Sequence, residues 1–179
     1  MSLRTDQLIS EASAAKREGR FQEARHALLE AVALLRQEEA GISLAHALRS
    51  LGEIERKLRE SSSARAHYEE SVAIYRHTGD VLALAHTVRH LGDVLHEAGN
   101  NESAENYYNE ALALYRAHPE ASPLDMANAI RSMAVLKAEA GSAEEARKLW
   151  EEAGSLYATL NIAEGVRESS ARLARLANS

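Results

Sequence analysis

Residues 81–117 read VLALAHTVRHLGDVLHEAGNNESAENYYNEALALYRA, and this stretch decides the fold. Two runs with apolar residues at helical spacing, 81–98 and 102–117, flank a short turn at Gly99, a residue suited to the left-handed backbone of a helix end. The same pattern returns in both directions along the chain. Leu28, Tyr68, Tyr108 and Trp150 recur at intervals of 40, 40 and 42 residues. Ala24, Ala64, Ala104 and Ala146 form a second column, and Leu35, Tyr75, Tyr115 and Tyr157 a third. Three columns in one register make this a tandem repeat, in which small residues mark close helix approach and large ones fill the remaining core.

The pattern predicts helices at about 5–18, 21–38, 43–58, 62–77, 81–98, 102–117, 123–140, 143–159 and 163–177. Turns inside repeats fall in one column, Gly19, Arg59, Gly99 and Gly141, where Arg59 must manage a conformation that glycine adopts freely. Breaks between repeats fall at Gly41, at Gly79 with Asp80, from Pro119 to Pro123, and at Asn161. Ser122, Pro123 and Asp125 read as an N-cap, a first-turn proline and a first-turn acid. Ser142 to Glu145 and Asn161 to Glu164 have capping-box spacing, and Ser61 to Ser63 read as a helix start. Arg36, Arg76 and Arg116 lie where a cation complements the carbonyl end of a second helix.

A tandem array buries its core between neighbouring repeats, so 179 residues read as a single domain, 1–179. The composition is rich in Ala, Leu, Glu and Arg with only 2 prolines, as an all-helical protein requires. The net charge of −6 argues against a general nucleic-acid binder, which needs a basic stripe. With no cysteine, disulfides and thiol chemistry are excluded. No apolar run is long enough to span a bilayer and no leader-like stretch opens the sequence, so no membrane partner and a cytoplasmic location are expected.

Leu51-Gly52, Leu91-Gly92 and Met133-Ala134, each followed by Ala64, Ala104 and Ala146 and then by Tyr68, Tyr108 and Trp150, resemble the tetratricopeptide repeat signature. Ala12, Ala24, Leu28 and Ala31 hold the equivalent places in the first repeat. The 40–42-residue period is similar to the lengthened variant of kinesin light chains and bacterial arrays. The resemblance implies an all-α, right-handed α-solenoid of four helix pairs at about 5–42, 43–80, 81–121 and 122–161, with a C-terminal capping helix at 162–177. It also implies a non-catalytic scaffold, without cofactors, that holds proteins or peptides in a concave groove.

Carried over column by column, the resemblance places His46, Arg49, Glu53, Arg56 and Lys57 on the groove, then His86, Arg89, Asp93, His96 and Glu97, then Asn128, Arg131, Val135, Ala138 and Glu139, with Ser50, His90 and Ser132 adjacent. Arg49, Arg89 and Arg131 share one column, a ladder of guanidinium forks suited to carboxylates on an acidic segment. Internal ion pairing competes with that reading, because Glu53 and Asp93 lie four residues after Arg49 and Arg89. Those acids stand where a chaperone-tail clamp needs a neutral amide, which argues against that specialisation.

Two other readings remain open. His86 and His90, one helical turn apart, form a pair that a divalent metal could use, with His46 and Glu53 from the preceding helix completing the shell. The second is a self-associating structural module, a homo-oligomer formed through an end helix. No phosphate loop, nucleophile elbow or zinc-protease motif is present, so no enzyme activity is expected.

Overall fold

The computed structural model describes residues 2–178. Among these, nine helices follow in order: α1 (Leu3–Arg17), α2 (Phe21–Gln37), α3 (Gly41–Lys57), α4 (Ser61–Thr78), α5 (Val81–Glu97), α6 (Asn101–Ala117), α7 (Pro123–Glu139), α8 (Ala143–Thr159) and α9 (Ala163–Leu176). Their number and order are those the repeat pattern predicts. Packing gathers the chain into two compact units, one ending at Val94 and one starting at Leu95. Within each unit, connections of a few residues make consecutive helices antiparallel neighbours.

In the first unit, Leu8, Ala12, Ala24, Leu28, Ala31, Leu35, Leu48, Leu51 and Ile54 form one buried cluster. The columns explain its shape: Gly52 lies so close to Tyr68 that an added Cβ would sit 2.9 Å from the ring. Tyr68 and Tyr75 have no exposed surface. In the second unit, Trp150 packs with Ala134 and Ala146, flanked by Leu149, Leu173 and Leu176. Tyr108, Tyr115 and Tyr157 are buried as well. Tyr107, outside the columns, is half-buried.

The turn column behaves as its residues require. Gly19, Arg59, Gly99 and Gly141 all adopt positive φ, 73°, 63°, 78° and 77°. Each closes the preceding helix with paired backbone bonds: Arg20 N–H donates to Ala15 and Gly19 N–H to Lys16, for example, and Glu60 and Arg59 repeat the pattern on Glu55 and Arg56.

Three expectations are corrected. The left-handed residue between α2 and α3 is Glu39 (φ 50°), and Gly41 opens α3. Asn161 likewise takes positive φ (57°) to end α8, so it cannot have the extended backbone of an N-cap, and that position falls to Ile162. Ser142 does precede α8, but its side chain makes no capping bond. The start at Ser122 holds, its hydroxyl accepting from Asp125 N–H at 3.4 Å.

Arg59 is exposed and strained, and a left-handed non-glycine residue costs about 1–2 kcal/mol. Glycine relieves that cost but loses more backbone entropy on folding, so Arg59→Gly is expected to stabilise by about 0.5–1 kcal/mol net. A urea midpoint at or below that of the parent would contradict this.

Candidate functional site

The groove columns fall on the first helix of each pair. In the first unit, α1, α3 and α5 bring them onto one face, because contacts run from helix to helix. Lys16 on α1 pairs with Glu53 on α3. Glu53 Oε1 lies 3.8 Å from His86 Nε2 on α5. Arg56 Nη1 donates to Asp93 Oδ2 at 3.2 Å.

A polar cluster is centred on Asp93. Its Oδ2 also accepts from Arg89 Nη1 at 3.1 Å and lies 3.5 Å from His90 Nδ1. Arg89 and Asp93 are each only 8% exposed. Arg89 Nη2 is 2.7 Å from His90 Nε2, which lies 3.1 Å from His86 Nε2. Tyr68 stacks flat on the His90 ring.

Burial shapes the ionisation of this cluster. It pushes the His90 imidazole down to about 4, with Asp93 opposing and Arg89 and His86 reinforcing the shift. For Asp93 burial acts upward, but the contact with His90 and then the charges of Arg89 and Arg56 outweigh it and hold the carboxyl well below its usual range. Glu53 follows the same logic, with His86 and Lys16 overcoming burial.

A neutral buried histidine destabilises the fold under acid. Between the unfolded value of about 6.5 and the folded value near 4, only the unfolded chain takes up the proton, so stability falls as pH drops through this window by up to about 1.4 kcal/mol per unit. Asp93 and Glu53 add a further loss below about pH 4, where the unfolded carboxylates protonate first. Urea melts at pH 7, 6 and 5 in chelator-containing buffer should show the first slope in the parent and a flatter one in His90→Gln. Parallel slopes would contradict the assignment.

The three ladder arginines differ in their surroundings. Arg89 is bound to Asp93, the i,i+4 pair anticipated from the sequence. Arg49 is half-buried, pairs with no carboxylate among the described residues, and has a buried Nε without a hydrogen-bond partner. Glu53, four residues on, is taken by Lys16 and His86 instead. In the second unit, Arg131 is held by Glu168 of α9 through two bonds of 2.6 and 2.9 Å.

His96 and Asn128 also belong to the second unit, where His96 Nε2 contacts Glu139 at 2.8 Å. Tyr157 donates its hydroxyl to Asn128 Oδ1 at 2.8 Å. The same device occurs in the first unit, where the Tyr75 hydroxyl meets His46 Nδ1 at 2.7 Å. His46, lowered in pKa by its burial and then by Arg49, therefore faces a core tyrosine as well as the surface.

Sequence reasoning passed over Tyr68 as a wall of the site and Glu168 as a partner of Arg131. A signal existed for the second: Lys16–Glu53, Arg56–Asp93 and Arg131–Glu168 are all separated by 37 residues, one helical turn short of the 40-residue period.

Residues 43–117, the helices that carry most of this cluster, match the tetratricopeptide repeat family. Over these residues the chain is similar to tetratricopeptide repeats. Among solved structures, BtubC (BKLC) from P. vanneervenii is 19% identical with a TM-score of 0.80, covering 88% of this chain and 64% of that one. The nearly identical TPR-like repeats of a Podosopora anserina protein described as a kinesin light chain are 18% identical with a TM-score of 0.75, covering 98% and 87%. The apo form of RapI is 11% identical with a TM-score of 0.84, covering 93% and 60%. The chain thus spans less than two thirds of BtubC and of RapI. No curated protein matches it. Likeness at these identities shows the fold class alone, an all-α solenoid. No helix among the described residues is long and apolar enough to cross a membrane.

Proposed function

We propose that the chain is a non-catalytic cytoplasmic scaffold, acting as one unit over 1–179, that holds an acidic or carboxylate-bearing segment of a protein partner against its first helices. Repeat arrays of this type present extended binding surfaces rather than reaction centres. The observation that carries the reading is Arg49, a half-buried guanidinium pairing with no carboxylate among the described residues. Around it, the first-helix face of a chain with net charge −6 carries Lys16, Arg56, Lys57 and Arg89 with Glu53, Asp93 and Glu97. Such a face steers acidic segments inward.

In this reading Arg49 takes the partner's carboxylate in a forked, charge-assisted contact contributing about 1.5–3 kcal/mol when shielded. Arg131 exchanges Glu168 for a partner acid, an inexpensive swap for a partly exposed pair. Arg89 supplies fixed positive potential, and His46, His86, His90 and Asn128 supply adaptable hydrogen bonds. The test compares affinity capture by the parent, by Arg49→Glu and by Arg116→Glu, whose charge lies on a second helix beside Glu152. Partners retained by Arg116→Glu and lost at least tenfold by a folded Arg49→Glu are expected. Identical partners on all three proteins would remove the reading.

A further inference from the structure

The first-helix face also holds a donor set suited to a cation, in which two of the groove histidines meet Glu53. One carboxylate oxygen of Glu53 and one ring nitrogen each of His86 and His90 lie within 4.8 Å of one another. His86 Nε2 is 3.1 Å from His90 Nε2 and 3.8 Å from Glu53 Oε1. Ligand atoms about 2.0–2.2 Å from a tetrahedral zinc ion stand roughly 3.3–3.5 Å from one another. Small side-chain adjustments therefore centre all three on one point.

We propose that Glu53, His86 and His90 bind one divalent transition-metal ion, zinc being the ion that fits two imidazoles and a carboxylate with a fourth position left to water.

The surroundings favour this geometry. His86 and His90 project from successive turns of α5, and their rings meet edge to face at 4.7 Å. Tyr68 stacks on His90 with centroids 5.8 Å apart and planes 6° apart, which fixes the ring orientation. Asp93 Oδ2 lies 3.5 Å from His90 Nδ1, a buried nitrogen without a hydrogen-bond partner, so a small shift makes it the carboxylate that presents Nε2 to a metal. Positive charge is already drawn to the same point: Lys16 pairs with Glu53, and Arg89 Nη2 is 2.7 Å from His90 Nε2. A neutral His90 Nε2 has one lone pair, yet both Arg89 Nη2 and His86 Nε2 stand at hydrogen-bond distance from it. An ion takes over this role as Lys16, 46% exposed, swings into solvent and Arg89 keeps its Nη1 bond to Asp93. Glu53 and His86 are partly exposed, which gives the ion an entry path.

The test is a zinc titration of untagged, chelator-treated and desalted protein against a chromophoric competitor, with cobalt substitution to read coordination from its visible absorption. One ion per chain is expected, with tetrahedral cobalt bands. His86→Gln and His90→Gln should each weaken zinc at least tenfold, Asp93→Asn by about 10–100-fold, and Lys16→Gln should tighten it severalfold by removing the competing cation. Circular dichroism confirms folding, and if His90→Gln or Asp93→Asn fails that check, the more exposed His86→Gln decides. No stoichiometric zinc in the parent, or equal affinity in His86→Gln, overturns the proposal. The titration contains no peptide, so its outcome is independent of the scaffold reading.

Discussion

Asp93→Ala is expected to destabilise the protein by about 3–5 kcal/mol, the cost of leaving a buried charge without its partner. Asp93 Oδ2 serves Arg89 at 3.1 Å and Arg56 at 3.2 Å. Arg56 is 31% exposed at its side chain and can turn to water, whereas Arg89 is 9% exposed and cannot. The loss therefore arises from Arg89 rather than from a missing contact. That account makes a second demand: in Asp93→Leu with Arg89→Met, both charges are gone and similar volume remains, so most of the stability should return. Urea unfolding of the two variants reads this directly. A loss under 1 kcal/mol in Asp93→Ala, or no recovery in the double variant, would show that the pair is effectively solvated.

The second large effect belongs to Trp150, which is fully buried. Trp150→Ala should cost about 3–5 kcal/mol, from lost transfer free energy and from a cavity that only partly collapses. The neighbours explain why collapse is incomplete. Ala134 and Ala146 on α7 and α8 have no reach to fill the space, and Leu173 and Leu176 on α9 lean on the indole from one side. Arg172 of α9 stacks over the ring at 5.7 Å. The variant should therefore expose α9 amides to hydrogen exchange before those of α7. Protection unchanged on α9 would mean that this helix is held by Glu168 and Arg131 instead.

The fold was legible because packing repeats itself. Tyr68 against Gly52 and Trp150 against Ala134 are the same contact written twice, and only size has to be read to find it. The candidate site was legible as a face but not as a set of contacts. Arg49, Arg89 and Arg131 occupy one column, yet their surroundings do not repeat: Asp93 of the same helix binds Arg89, Glu168 from α9 reaches Arg131, and Lys16 from α1 takes Glu53, four residues after Arg49. Turn chemistry was legible where glycine marked it, as at Gly19 and Gly141, and hidden where Glu39 and Asn161 adopt the same left-handed backbone. Helix closure by backbone bonds imposes that conformation on whichever residue stands there.

The paired contacts Tyr75–His46 and Tyr157–Asn128 have a consequence for anyone wishing to retarget this surface. Positions 46 and 128 look like free choices for a new specificity, but each anchors a tyrosine hydroxyl from the interior. Grafting a leucine or a lysine there would remove that contact and loosen the second helix behind it. A library at these two positions should be confined to residues that accept a hydrogen bond, with full diversity reserved for position 49.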